Sequence, residues 1–201
     1  MPNGEIKVGE KIKRLREDEG ISLEDLGKRI GFSPSVISQI ENHLISPPLG
    51  ILIKISRALK VKLGYFFAEF QDEKGEAGLE EPFTIVRKDE RKKISRVASK
   101  EGVNYGYSYE SLGFGKKDRQ MEPFLVSLEP RSAGAGEEGL SAHEGEEFVF
   151  VLEGEMEVQL GNHTDILSVG DSIYYDSTIP HRVRCAGGKP AKILAVIYTQ
   201  Q

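Results

Sequence analysis

The spacing of hydrophobic residues changes along this chain, and the change limits the folds that it can adopt. In the N-terminal region, apolar residues recur every three or four positions, which is the period of an amphipathic helix. From residue 83 onward they alternate with polar residues in short segments separated by Gly, Pro, Asn or Asp, as in β-strands. The chain is therefore predicted to contain an α-helical domain over residues 1–67, an acidic linker over 68–82 and an all-β domain over 83–201.

Charge is distributed unevenly over these regions. The formal net charge of the chain is −5, yet residues 1–66 carry 11 Lys+Arg against 8 Asp+Glu. A basic surplus confined to the helical region is compatible with nucleic-acid binding despite the acidic total. No apolar run approaches the ~18 residues of a membrane-spanning helix, and the first residues lack the apolar stretch of a signal peptide. We therefore expect a cytoplasmic protein without a membrane partner.

Capping signals divide the first region into short helices. Ser22 and Ser33 are predicted N-caps, Pro34 occupies a first helical position, and Gly31 is predicted to end the helix before it. Two short helices joined by a tight glycine-containing turn are typical of a helix-turn-helix. The segment RLREDEGISLEDLGKRIGFSPSVISQIEN and the later pattern P-x3-L-x-K-I-S-R-A-L-x-V together resemble the lambda-repressor-like (XRE-type) DNA-binding domain.

This resemblance implies that the third helix enters the major groove of double-stranded DNA. Gln39 is the expected base reader, because its amide can pair with adenine through two hydrogen bonds. A plain helical bundle used for protein contacts is the alternative. The polar residues expected to contact DNA are Ser33, Ser35, Ser38, Gln39 and Asn42.

Three other residues of the first region are expected to have structural roles. Arg16 and Glu41 match positions that form an internal ion pair in the XRE-type domain, so the resemblance implies such a pair here. His43 stands where that domain usually has glycine, so it is expected to place a side chain at a left-handed backbone position.

Two histidines and a glutamate dominate the second region. His143 and Glu147 are four residues apart in a predicted strand, so their side chains share one face, and His181 begins a later strand. The patterns H-x3-E-x6-G and G-D-x9-H, which contain these residues, resemble the motifs of the cupin superfamily. The resemblance implies a double-sheet jelly roll, also called a double-stranded β-helix.

The cupin resemblance also implies a metal set of His-x-His-x3-Glu and a later His, in which Ser141 here replaces the first His. His143, Glu147 and His181 remain, and two His with one carboxylate suit Fe(II), or Zn or Mn with water completing the site. The alternative is a metal-free pocket in which these side chains hydrogen-bond an organic ligand or one another. The further residues expected to line the pocket are Tyr105, Tyr107, Ser141 and Cys185.

Taken together, these features predict a transcription regulator that binds DNA as a homodimer or higher oligomer and senses a small-molecule effector through the cupin. One group of iron enzymes, the hydroxypropylphosphonic acid epoxidases, also resembles the chain across both domains. A mononuclear non-haem iron oxygenase is therefore the alternative function. The intact pattern of the third helix favours the regulator, because an enzyme has no need to read DNA.

Overall fold

The computed structural model describes most of the chain and divides it into two compact units. One unit comprises Met1–Val97 with Gly113–Arg119, and the other comprises Ala98–Leu112 with Gln120–Gln201. The described residues are 8–44, 47, 49–67, 82–94, 107–114, 116, 119–130 and 139–198.

Short helices with an apolar face build the first unit. Its buried side chains include Ile12, Leu26, Ile37 and Leu52, which come from four different helices. The elements in its described part are the helices α1 (Val8–Asp18), α2 (Leu23–Ile30), α3 (Pro34–Glu41) and α4 (Leu49–Ala58), 3-10 helices at Leu63–Phe67 and Lys88–Glu90, and the strand β1 (Lys92–Ile94). None of the described helices combines the length and the apolar character that crossing a membrane requires.

The helix ends follow the predicted caps. The Ser22 hydroxyl accepts a hydrogen bond from the Asp25 backbone N–H at 3.0 Å, and Ser33 accepts one from Val36 at 3.3 Å. Gly31 ends α2 with a φ of 78°, a left-handed conformation that glycine adopts without steric cost. His43 has a φ of 57°, so the predicted left-handed position after α3 is confirmed, with a side chain where glycine fits best.

Two glycines allow close approach between the helices. A Cβ atom added to Gly9 of α1 would lie 2.2 Å from the carbonyl oxygen of Ile40 in α3. A Cβ atom on Gly27 of α2 would lie 2.5 Å from the carbonyl oxygen of Phe32. Because these neighbours are backbone atoms that cannot rotate away, a side chain at Gly9 would separate α1 from α3, and one at Gly27 would push the turn away from α2.

A buried ion pair joins α1 to α3, as expected from the sequence. Arg16 Nε lies 2.6 Å from Glu41 Oε1 and Arg16 Nη2 lies 2.8 Å from Glu41 Oε2, which is the bidentate geometry of a strong guanidinium–carboxylate contact. Arg16 also donates to the Ile21 carbonyl at 2.9 Å. The hydrogen bond to Glu41 raises the pKa of Arg16 further above its ordinary value.

The second unit is an antiparallel jelly roll. Five of its strands lie in the order β2–β3–β9–β4–β7, and three others lie in the order β6–β5–β8. The strands are β2 (Tyr107–Ser111), β3 (Met121–Leu128), β4 (Glu146–Glu153), β5 (Met156–Leu160), β6 (His163–Leu167), β7 (Ser172–Asp176), β8 (His181–Cys185) and β9 (Ala191–Tyr198).

Alternation places one face of each central strand inside this jelly roll. Phe124 and Val126 of β3, Val149 and Val151 of β4, and Met156 of β5 are at most 3% exposed. Between the two sheets, the Tyr107 hydroxyl donates to the Val183 carbonyl at 2.7 Å and so connects β2 with β8.

The predicted architecture, a helical region with a helix-turn-helix followed by an all-β jelly roll, is therefore confirmed. The linker predicted over residues 68–82 lies outside the described residues except for Pro82, and its boundaries stay a prediction.

We expect Arg16→Ala to lower the free energy of unfolding of the first unit by about 3–5 kcal/mol, because the Glu41 carboxylate would be left buried without its partner. Urea unfolding followed by the helical circular-dichroism signal measures this change.

Arg14→Ala is the matched control for this experiment, since Arg14 is 59% exposed and lies 3.8 Å from the exposed Asp18. Such a surface pair contributes at most about 1 kcal/mol. Equal effects of the two substitutions would contradict a structural role for the buried pair.

Candidate functional site

His143, Glu147 and His181 come together in the interior of the second unit. Glu147 is the second residue of β4, and His181 is the first residue of β8 in the other sheet. The backbone of His181 pairs with that of Ser141 through hydrogen bonds of 2.8 and 2.9 Å. The His143 N–H donates to the Ser177 carbonyl at 2.9 Å, which positions this histidine just before β4.

The three side chains are close enough to act on one bound group. His143 Nε2 lies 2.8 Å from Glu147 Oε1, and His181 Nε2 lies 3.7 Å from the same oxygen. All three prospective ligand atoms lie within 4.8 Å of one another. Both histidines are only 6% exposed, so water has little access to the cluster.

Backbone carbonyls orient the two imidazole rings. His181 Nδ1 lies 2.8 Å from the Ile179 carbonyl oxygen, and since a carbonyl can only accept, Nδ1 carries the proton. In its neutral form, His181 therefore presents the lone pair of Nε2 to the cluster. Both ring nitrogens of His143 face acceptors: Nδ1 lies 3.3 Å from the Glu144 carbonyl oxygen, and Nε2 lies 2.8 Å from Glu147 Oε1.

Burial and hydrogen bonding act in opposite directions on Glu147. Desolvation by itself raises the pKa of this carboxyl group. The hydrogen bond from His143, the nearby imidazole charges and the hydroxyl of Tyr175 outweigh it, so the pKa of Glu147 lies below its ordinary value. The side chain is thus held as a carboxylate in a largely buried position.

Tyr175 is a site residue that the sequence motifs did not reveal. It lies directly opposite Glu147 in the pairing of β7 with β4, and its hydroxyl donates to Glu147 Oε2. Its ring centroid is 5.1 Å from that of His181. Burial and the Glu147 charge raise the pKa of Tyr175, so it remains a proton donor. Strand alternation could have placed it inside, but the opposing residue depends on the register.

The cluster fits the demands of a divalent metal ion. Ligand atoms held at about 2.0–2.2 Å from one ion are ~3–3.5 Å apart. The separations of 2.8 and 3.7 Å from Glu147 Oε1 to the two histidine nitrogens lie near that range, and all three atoms lie within 4.8 Å of one another. The donor set also has the outer hydrogen bonds typical of metal sites, since each histidine has a backbone carbonyl at Nδ1. A bound ion would replace the Nε2 proton of His143 and supply Lewis acidity.

The other residues predicted for the pocket lie in different surroundings. Ser141 is half-buried beside His181, and the Tyr107 hydroxyl is engaged with Val183. Cys185 shares the inward face of β8, but four residues of strand place it ~13 Å along from His181. Burial raises the pKa of its thiol, which disfavours the thiolate form that metals bind. Tyr105 lies outside the described residues.

The polar residues of α3 divide into two groups. Ser33 caps the start of the helix, and Asn42 Nδ2 donates to the Ser38 carbonyl at 2.8 Å and lies 3.3 Å from the Ser38 hydroxyl. These side chains support the ends of α3. Ser35 is exposed and Gln39 is half-exposed, on the side opposite the buried Ile37 and Ile40. This face of α3 is polar and carries no acidic residue that would repel phosphate.

Comparison with protein families identifies both parts of the chain. A helix-turn-helix family model matches residues 12–66, and a cupin domain model matches residues 125–197. These ranges contain α3 and most of the β-strands, and the second includes His143, Glu147 and His181.

Relatives of known identity resemble the chain over both regions. The HTH-type transcriptional regulator PuuR of Escherichia coli is 26% identical over 181 residues, which cover 90% of this chain and 89% of PuuR. The (S)-2-hydroxypropylphosphonic acid epoxidase of Streptomyces wedmorensis is 27% identical over 199 residues, covering 93% of each chain.

A solved structure supports the same architecture. An HTH_3 family transcriptional regulator from Vibrio cholerae matches with a TM-score of 0.64 over 98% of this chain and 97% of that chain, at 22% identity. The likeness concerns the fold, and the two family models assign its parts. The chain therefore combines a helix-turn-helix domain, matched over residues 12–66, with a C-terminal cupin domain, matched over residues 125–197.

Proposed function

We propose that this protein is a sequence-specific DNA-binding transcription regulator whose cupin domain senses a small-molecule effector. The observation that carries the proposal is the pairing, in one chain, of a helix-turn-helix with a polar outer face on α3 and a jelly roll with a buried polar cluster. Similarity to regulators over most of the chain supports it. DNA binding also accords with a cytoplasmic location.

In this proposal, α3 lies in the major groove of double-stranded DNA. Ser35 and Gln39 are the residues with side chains directed away from the helical core, and the Gln39 amide can recognise adenine. Ser33, Ser38 and Asn42 would contact the phosphate backbone through the donors and acceptors that their hydrogen bonds within α3 do not use.

We further propose that the functional form is a homodimer or a higher oligomer. Repressor-like heads read two half-sites ~34 Å apart, about one turn of the DNA, so two copies of α3 are needed. An effector changes DNA affinity only by binding more tightly to one arrangement of the two heads than to the other.

The cluster of His143, Glu147 and His181 is proposed to hold a divalent ion, with Fe, Zn and Mn as candidates, to which the effector binds. The two histidine nitrogens and the carboxylate suit each of these ions. The donor distances and the outer hydrogen bonds described above support this assignment.

Gln39→Ala is expected to weaken binding to a DNA site selected from genomic fragments by about 10–100-fold, the loss of a two-hydrogen-bond contact to a base. Gel-shift titration of the full-length protein at fixed salt measures the change. Gln120→Ala, the same truncation at an exposed residue of the second unit, is the control.

Loss of base reading should leave the weak, salt-dependent binding to unrelated DNA unchanged. Binding by the unmodified protein that is weak, non-specific and lost with salt would contradict the proposal.

His143→Ala and His181→Ala are each expected to abolish or greatly weaken metal binding, because either substitution leaves only two protein ligands. Metal analysis of the purified protein, followed by calorimetric titration with Zn(II) or Mn(II), provides the measurement. His163→Ala is the matched control, since His163 is 71% exposed and lies outside the cluster. A full-length protein that binds no metal would rule out the ion and leave a metal-free effector pocket.

An iron oxygenase is the second candidate function, favoured by the two-His-one-Glu donor set together with the similarity to the epoxidase over 93% of both chains. An enzyme of this kind would consume oxygen in an Fe(II)-dependent manner when given a small organic acid. For the regulator we expect no such turnover while specific DNA binding is retained. Rapid oxygen consumption that His163→Ala preserves and His143→Ala abolishes would favour the enzyme.

A further inference from the structure

The two oxygens of the Glu147 carboxylate have different neighbours. Oε1 lies 2.8 Å from His143 Nε2 and 3.7 Å from His181 Nε2, so it faces the prospective ion site. Oε2 accepts the hydroxyl of Tyr175. A carboxylate that binds an ion through both oxygens needs both of them on the same side, whereas here the second is held by another partner.

The pairing of strands fixes this arrangement. Glu147 and Tyr175 are directly opposite each other in β4 and β7, and both side chains point into the jelly roll. Tyr175 is 5% exposed, and its ring lies against His181 with a centroid separation of 5.1 Å. Packing of the ring therefore limits where the hydroxyl can go, and the carboxylate is limited with it.

We propose that Tyr175 is a positioning residue that restricts Glu147 to binding an ion through Oε1 alone, so that a coordination position stays open for the effector. The inference rests on the metal part of the proposed function. It also assigns a specificity role: the effector is a molecule that can donate a ligand atom directly to the ion.

The neighbouring Tyr174 offers a matched control on the other face of the sheet. Its hydroxyl donates to the carboxylate of Glu146, so the two consecutive tyrosines each engage one of two consecutive glutamates. Tyr174 is 64% exposed and has no part in the cluster. Removing one hydroxyl oxygen from either residue is the same chemical change in two different surroundings.

The test compares Tyr175→Phe and Tyr174→Phe in the full-length protein loaded with Co(II). The visible absorption of bound Co(II) depends on the number and arrangement of its ligand atoms, so it reports a second oxygen from Glu147. Titration with azide measures whether a position on the ion is open.

In Tyr175→Phe we expect an altered Co(II) spectrum and an affinity for azide that is lower by about tenfold or more. Removing outer hydrogen bonds at metal sites has effects of this size. Tyr174→Phe is expected to match the unmodified protein in both measurements. A merely structural role for Tyr175 would change the unfolding temperature without changing the spectrum.

A second comparison uses Glu147→Gln, whose amide lacks the paired anionic oxygens needed for two-oxygen binding. Adding Tyr175→Phe to this background should produce no further change in azide affinity, because the proposed effect acts through Glu147.

A Tyr175→Phe protein with the Co(II) spectrum and azide affinity of Tyr174→Phe would overturn the positioning role while leaving the metal site intact. Failure of the unmodified protein to bind Co(II) would overturn both the metal site and the positioning role, and specific DNA binding by the same preparation would show that the regulator function survives.

Discussion

A buried carboxylate is the constraint on which the second unit depends. An ionised group inside a jelly roll is costly unless charges and hydrogen bonds compensate for the lost water. For Glu147 the compensation comes from His143 before β4, Tyr175 of β7 and His181 of β8, and it is sufficient to keep the pKa of Glu147 below its ordinary value despite burial. Because these partners come from separate segments, the cluster forms only when β4, β7 and β8 are correctly placed. The polar site therefore forms together with the closure of the jelly roll at this end, and neither is complete without the other.

The first unit also contains a buried carboxylate, and here the compensating ion pair fixes the orientation of α3. Arg16 and Glu41 are a bidentate ion pair between α1 and α3, and the Arg16 guanidinium also reaches the carbonyl of Ile21 just before α2. An apolar contact could hold these helices together as strongly, but it would not fix their rotation, whereas the paired hydrogen bonds have one geometry. With Gly9 and Gly27 permitting close approach, α3 is held so that Ile37 and Ile40 are buried and Gln39 faces outward.

Much of this arrangement could be predicted from local patterns. The change of hydrophobic period separates the helical from the β region, Ser22, Gly31 and Ser33 mark helix ends, and the spacing of His143, Glu147 and His181 marks the cluster. Contacts that depend on tertiary register could not be predicted in this way. Tyr175 is adjacent to Tyr174 in the sequence, and only the pairing of β7 with β4 places one of them opposite Glu147. The hydrogen bond from the Tyr107 hydroxyl to the Val183 carbonyl is a second contact of this kind, because it depends on how the two sheets face each other.

The composition of the cluster also bears on how a signal could arise. Glu147 belongs to one sheet of the jelly roll and His181 to the other, so a group bound to both is bound across the gap between the sheets. Its affinity then depends on the separation of β4 from β8, and by reciprocity its binding biases that separation. A coupling of ~1–3 kcal/mol is enough to change DNA affinity by about 5–150-fold. The Tyr107–Val183 hydrogen bond connects the sheets two residues further along β8, so a group bound at His181 would add a second connection at that end. Catalysis would require that end to be rigid, whereas sensing requires it to have two arrangements of similar free energy.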